Sequence, residues 1–339
     1  MYVLLALLLL GLLITAHEAG HFLAARACGI EVEEFSMGMG PKLLQRRSRR
    51  GTLITLRLLP IGGFCQFYGE DTAVGDKRGF NDQPIWKRAL TVASGPLMNF
   101  AVAFLVIVIY MSAMGLSTVV PRVAEVEENA AMAGLQVGYV LVTVNGVTIE
   151  STADVTREIS ASGGAPVTLG IERGGEPMEL TISPFYDEEA GRYRVGFTFD
   201  RDRVRVSLLE SIPFSVQYNV ECVKTIIDAL RNMLFHGEGV EDVTGPVGTV
   251  YVIQEVTQQG GIDVYLELIA LISVNLGVMN LLPIPGLDGS RLLFMLVEAV
   301  RRKPISREVE GKIHFAGFCL LMALMLVLTY KDIMRIFVG

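Results

Sequence analysis

Cysteine is scarce in this 339-residue chain, with four in all. Cys28, Cys65, Cys222 and Cys319 stand far apart and form no C-x-x-C pair. That argues against a disulfide framework and a thiolate metal site, so all four read as free thiols. Charge is also thin, at 19% of residues, and the net charge of −7 gives no basis for a nucleic-acid partner. There are only four histidines. No basic residue precedes the first apolar run, Tyr2 to Ala16, so the charged n-region of a secretory signal is missing. The small-residue stretch Ala24-Ala25-Arg26-Ala27 follows, but the run leads straight into His17 and Glu18, and a retained membrane helix is expected.

What the chain has in excess is apolar residues, 51% of the total, a membrane signature rather than a larger core. After the first run, Ala89–Leu116, Leu266–Leu282 and Ile313–Tyr330 are each long enough to cross a bilayer. The runs are continuous rather than alternating, which argues against a β-barrel. The loop between the first two spans is rich in arginine and lysine, as is the one between the last two. The segment 117–262 is instead dominated by Glu and Asp. The positive-inside rule then puts both basic loops in the cytoplasm, with the acidic segment and both chain ends outside.

Two soluble-looking pieces interrupt the spans. Thr52–Leu58 and Phe64–Tyr68 read as strands around a Pro60–Gly63 turn, a hairpin beside the membrane. Its edge is either a template for an extended peptide or a structural element lying on the bilayer. In the acidic segment, about 120–186, short strands (Val140–Val144, Val167–Glu172, Met178–Ile182) alternate with Asn145-Gly146 and Gly174-Gly175 turns. A helix is expected at Thr152–Ser160, capped by Ser151 or Thr152. Residues 208–235 read as an amphipathic helix along the membrane surface.

The sharpest signal is His17-Glu18-Ala19-Gly20-His21. Positions i and i+4 share a helix face, so two imidazoles can grip one Zn²⁺ while the adjacent carboxylate takes a proton from water. Such groups in a membrane helix are costly, about 2.5–3.5 kcal/mol for a charge at the bilayer centre, and rarely decorative. A catalytic zinc needs a third protein ligand. His236 lies on the wrong side of the expected topology, and His314 opens the last span. Asp288 is the stronger candidate, because Pro283 and Pro285 break the helix just before it. Irregular backbone at membrane depth survives only where it is buried or lines a wet cavity.

His17-Glu18-x-x-His21 in the first span, together with Asn280-x-x-Pro283-x-Pro285-x-Leu287-Asp288-Gly289, resembles the site-2 protease family of intramembrane metalloproteases. The resemblance is closest to its bacterial regulator-of-sigma-E protease group. Gly62-Gly63-Phe64 through Tyr68-Gly69-Glu70, Ser94-Gly95-Pro96-x-x-Asn99, Thr244-Gly245-Pro246-Val247-Gly248 and Ser273-Val274-Asn275-Leu276-Gly277 are similar to further segments of that group. Cys65-Gln66 departs from its more usual Val-Lys. The resemblance implies one Zn²⁺ per chain held by His17, His21 and Asp288, with Glu18 as general base. It implies substrate contacts from Asn275, Asn280, Pro283, Pro285, Gly63 and Phe64, although both asparagines also suit helix–helix hydrogen bonding.

Ala133-Gly134-Leu135-x-x-Gly138 followed by Val144-Asn145-Gly146 resembles a PDZ domain, with Tyr139 where Asp is common. Val119–Val123 would supply its peptide-binding loop and strand. The fold class that follows is a polytopic α-helical membrane protein of four transmembrane helices, with a membrane-associated β-hairpin and one inserted extracytoplasmic α+β PDZ-like domain. The expected boundaries are 1–28 for the first span, 29–87 for the cytoplasmic loop and hairpin, and 88–117 for the second span. They continue with 118–186 for the PDZ-like domain and 187–262 for a linker with the surface helix. The third span with its motif takes 263–300, a cytoplasmic loop 301–312 and the fourth span 313–339. The expected setting is a bacterial plasma membrane, with the active site near its cytoplasmic side. The expected partners are the lipid bilayer, single-span protein substrates such as a pre-trimmed anti-sigma factor or a remnant signal peptide, and a peptide terminus at the PDZ-like domain. Two other classes share some of these features. A zinc transporter would also place His and Asp in membrane helices, and an inactive scaffold would use only the PDZ-like domain.

Overall fold

Apolar runs become long helices in the computed structural model, which describes residues 2–70, 74–149, 151–173, 175–188, 191–204, 206–239 and 243–337. The helices are α1 Tyr2–Cys28, α2 Ile85–Met114, α3 Glu128–Met132, α4 Thr152–Ala161, α5 Leu208–His236, α6 Pro246–Leu281, α7 Asp288–Arg301 and α8 Arg307–Phe337. The strands are β1 Val32–Arg47, β2 Leu53–Phe67, β3 Leu116–Val126, β4 Val140–Val144, β5 Val147–Thr148, β6 Val167–Arg173, β7 Glu176–Ile182, β8 Phe185–Asp187, β9 Arg192–Arg194 and β10 Phe197–Val204. They form two units, Met1–Tyr110 with Leu208–Gly339, and Met111–Ser207.

In the helical unit, four segments are long and apolar enough to cross a membrane: Leu5–Cys28, Ile85–Met114, Val264–Leu281 and Glu308–Arg335. Their outward faces carry exposed Leu12, Leu105, Ile109, Leu320 and Leu326. So much exposed apolar surface is a liability in water and an ordinary surface in lipid. The segment 263–300 holds two helices: α6 stops at Leu281, and a separate helix, α7, starts at Asp288. Pro283 and Pro285 have no N–H to donate, and Gly286 takes φ +100°, a backbone conformation that other residues resist. The loop is drawn tight: the Ile284 N–H donates to the Leu282 carbonyl (2.7 Å), and the Leu287 N–H to that of Ile284 (3.1 Å).

The hairpin also differs from expectation. Thr52–Leu58 and Phe64–Tyr68 do not pair with each other, because Val32–Met37 lies between them. Phe35 pairs with Cys65 on one side and Ile54 on the other, and Leu53–Leu56 pair in turn with Leu44–Arg47. Both long strands fold back on themselves, at Gly38–Pro41 and near Gly62, and a four-stranded sheet results. Val32–Met37 hides in the sequence because Glu33 and Glu34 interrupt its apolar pattern. Glu34 is satisfied within the sheet by Arg57 (2.8 Å), Thr55 (2.8 Å) and Lys42 (3.0 Å). Burial alone would raise the pKa of its carboxyl, but these donors hold it below the ordinary carboxylate value. The sheet lies against α1 so closely that a side chain at Gly11 would run into the Pro60 carbonyl oxygen.

The second unit is a β-rich domain with strand order β10-β3-β4-β6-β7. Its core gathers Val123, Leu135, Leu141, Val144, Val155, Leu169 and Ile171. Ser151 caps α4 as expected, exchanging hydrogen bonds with Asp154 in a capping box. The β6–β7 hairpin closes with Arg173 opposite Glu176; Gly174 of the expected turn lies outside the described residues. Two expectations are corrected. The domain does not end at 186, because β10 pairs antiparallel with β3 and packs Phe197 and Phe199 against the core. And β3 is an interior strand, paired along its length with β10 and at Arg122 with Val140 of β4, so Val119–Val123 is not the open edge strand expected for a peptide. A groove instead runs between α4 and the 192–199 segment, lined by Val155, Thr156, Ile159, Val195, Phe197 and Phe199.

Candidate metal centre

α1 carries His17 and His21 one turn apart, and both are buried. The break after α6 delivers Asp288 to the same place at the first turn of α7. His17 Nε2 lies 3.0 Å from Asp288 Oδ2, His21 Nε2 lies 3.2 Å from that oxygen, and the two Nε2 atoms are 3.1 Å apart. Three ligand atoms at mutual distances near those of a tetrahedral zinc site, about 3.3 Å for bonds of about 2.0 Å, form a metal-sized triangle. Among the described residues this is the cluster of three His, Cys, Asp or Glu side chains close enough to share an ion.

The outer partners fit the same ion. His21 Nδ1 lies 2.9 Å from the Thr91 carbonyl oxygen, which can only accept. The proton is therefore on Nδ1, and Nε2 offers its lone pair to the centre. His17 Nδ1 lies 3.2 Å from the Asn99 side-chain amide. Asn99 is fully buried, and its Oδ1 has no partner. Turning the amide over gives Oδ1 the Nδ1–H of His17, the tautomer that a metal at Nε2 requires. Close approach of α2 makes this possible. A side chain on Gly95 would stand 2.3 Å from His21 Nε2 and 2.8 Å from His17 Nε2, so only glycine fits.

A cavity of about 570 Å³ opens on the cluster. Glu18, Phe64, Cys65, Phe67, Glu70, Asn280, Leu287, Arg291 and His314 help line it. The Cγ of Glu18 packs beside Gly63. Asn280 reaches the cavity with its Nδ2 donating to the Leu276 carbonyl (2.9 Å). Asn275 is exposed and does not line it. Pro283 and Pro285 shape the loop rather than the cavity wall, and Pro285 packs against Gly317 of α8. His314, the alternative third ligand, accepts a hydrogen bond from the Gly286 N–H at 3.2 Å, and so braces the loop that carries Asp288. His236 is exposed at the end of α5. Roles for Thr91, Gly95, Asn99, Glu70 and Arg291 are not readable from the sequence. Gly95 and Asn99 stand within a recognisable motif, but the contacts that give them a task cross between helices.

The profile described as Peptidase family M50 matches residues 5–324. The zinc metalloprotease RasP of Shouchella clausii is 31% identical over 407 residues, covering 96% of this chain and 97% of its own. The regulator of sigma-W protease RasP of Bacillus subtilis is 26% identical over 414 residues and covers 98% of both chains. The solved PDZ domain of an SdrC-like protein from Listeria innocua matches 25% of this chain and 97% of its own at 17% identity. Its TM-score is 0.23, a likeness too distant to carry an argument.

Proposed function

Because the chain belongs to peptidase family M50 and is a zinc metalloprotease, we propose that it hydrolyses peptide bonds in the membrane-spanning segments of other proteins. The observation that carries this reading is the His17, His21 and Asp288 cluster, with Glu18 beside it on a helix apolar enough to cross a bilayer. Bound zinc supplies a Lewis acid and lowers the pKa of a coordinated water towards about 7. His17, His21 and Asp288 hold it. Glu18 takes a proton from the attacking water and later passes it to the leaving amine. Asn280 offers an uncharged donor to the substrate backbone.

A helical peptide bond is shielded by its own hydrogen bonds, so the substrate must be extended to be cut. The edge segment Gly63–Phe67, next to Glu18, suits pairing with such a strand. The setting proposed is a plasma membrane, with the basic loops and the metal centre towards the cytoplasm and the β-rich unit outside. That unit is read as PDZ-like, with a peptide terminus held in its α4 groove. Substrates are single-span proteins, such as a trimmed anti-sigma factor or a remnant signal peptide. The B. subtilis relative's name, regulator of sigma-W protease, supports the first.

The test is cleavage of a single-span protein by purified wild type and Glu18→Gln in detergent, with zinc measured on both. Cleavage by wild type alone, with about one zinc on each, is the expected result. Equal cleavage by both removes Glu18 from the reaction.

A further inference from the structure

The free edge of Gly63–Phe67 ends at a carboxylate that has another task. In an antiparallel pair, successive N–H groups point alternately to the partner strand and away from it. The Tyr68 N–H points inward, donating to the Glu31 carbonyl at 2.9 Å. By alternation, those of Phe67 and Cys65 point outward. The Phe67 N–H does not stay open. Glu70 Oε2 folds back and accepts it at 3.2 Å.

Glu70 is fixed from two sides. Its Oε1 takes a hydrogen bond from Arg291 Nη1 at 2.6 Å, across 221 positions of sequence. Asn81 Nδ2 donates to the carbonyls of Gly69 (2.7 Å) and Glu70 (2.5 Å). Arg291 stands three residues after Asp288 on α7, on the same helix face. α7 is itself held to α2 by the two-pronged Arg88–Glu298 pair at 2.6 and 3.1 Å. One rigid path therefore joins the metal ligand Asp288 to the last outward N–H of the strand.

We propose that Glu70, held by Arg291, is a register stop that fixes where along the Gly63–Phe67 edge a substrate strand can pair, and so which bond lies over the metal centre. With Phe67 capped, pairing must use the edge on the Cys65 side. With the cap removed, the Phe67 N–H is free and a strand can slide by one repeat of two residues, the period that keeps side chains on the same face. Both residues are positioning residues, and the inference rests on the protease reading above.

The experiment is mass-spectrometric mapping of the bond cut in a single-span substrate, with kcat, KM and zinc content, for wild type, Glu70→Ala, Arg291→Met and Arg291→Lys. Methionine keeps the packing of the arginine stem, so Arg291→Met carries the test alone if Glu70→Ala does not accumulate. Wild type is expected to cut one principal bond. Glu70→Ala and Arg291→Met are expected to keep zinc, to lose about tenfold in kcat with less change in KM, and to add a cut two residues away. Arg291→Lys, which keeps the charge opposite Glu70, is expected to retain the wild-type bond. A single unshifted cut in both neutral variants, loss of zinc in either, or a lysine variant that shifts like Arg291→Met overturns the proposal. If wild type cuts nothing, the protease reading falls and this falls with it; if wild type cuts and the variants match it, only the register stop falls.

Discussion

His17 Nε2 stands 3.0 Å from Asp288 Oδ2, although 271 positions of sequence separate them. With His21 they form a compact set of nitrogen and oxygen donors that makes chemical sense around a cation. Removing one member of a buried charged cluster leaves the others uncompensated. Asp288→Ala is therefore expected to bind less than about a tenth of the wild-type zinc and to lose cleavage, as measured by elemental analysis and a substrate assay. A full complement of zinc in this variant would move the third ligand elsewhere, and His314 is the histidine at hand in the same cavity.

Gly95→Ala separates helix stability from metal chemistry. In an ordinary helix interior this change stabilises by roughly 0.5–1 kcal/mol. Here the added methyl would sit 2.3 Å from His21 Nε2. The variant is expected to remain folded by circular dichroism yet to lose most of its zinc and its activity. Wild-type zinc affinity in Gly95→Ala would mean that α2 does not press on the imidazoles as described.

Asn99 supports a ligand without being one. Asn99→Ala removes the acceptor for His17 Nδ1–H and is expected to weaken zinc binding by about 10–100-fold, whereas Asn99→Asp, which keeps an acceptor, should weaken it less. Competition with a graded series of chelators would rank the three proteins. Equal affinities would leave the buried amide with no role at the metal.

Part of this was legible from residues alone. The H-E-x-x-H pair follows from helix period, and the interruption before Asp288 from two prolines. The four spans follow from apolar runs. The remainder depends on contacts that no local pattern encodes. Asn99 meets His17 across 82 positions, and Arg291 meets Glu70 across 221. Val32–Met37 escaped notice because Glu34, polar in sequence, is satisfied by Arg57, Thr55 and Lys42 only after folding. β10 escaped because Asp200, Arg201, Asp202 and Arg203 look like a loop, although Phe197 and Phe199 reach the core. Asn275, named by the resemblance as a substrate contact, lies exposed and outside the cavity lining.

Glu34 gives the four-stranded sheet a defined response to acid. Its folded pKa lies below the unfolded value of about 4.3. Its contribution to stability is therefore complete above that unfolded value and is lost as pH falls through the folded one. Protection against hydrogen exchange over residues 32–67, taken relative to the intrinsic amide rate at each pH, is expected to fall on acidification below about pH 4, and Glu34→Gln should flatten that dependence while lowering protection at neutral pH. An identical pH profile in the glutamine variant would remove Glu34 as the cause.

Asp332 ties the last helix to the start of α6. Buried on α8, its carboxylate accepts the N–H groups of Gly245 (3.1 Å) and Gly248 (2.7 Å). These are otherwise orphan donors at a helix N-terminus. Asp332→Ala is expected to cost about 1–3 kcal/mol, seen as a lower thermal midpoint, without changing zinc stoichiometry. An unchanged midpoint would mean that water satisfies those donors equally well.

The proposed metal ligands also impose an order in time. His17 and His21 emerge from the ribosome first, and Asp288 follows only after the residues between them have been made. At about 5–20 residues per second, the 271 positions between His17 and Asp288 take about 14–54 seconds to synthesise. During that interval the growing chain has Glu18 and two imidazoles in place but lacks the third ligand. A nascent protease of this design stays chemically silent among the other newly inserted helices until Asp288 has been made.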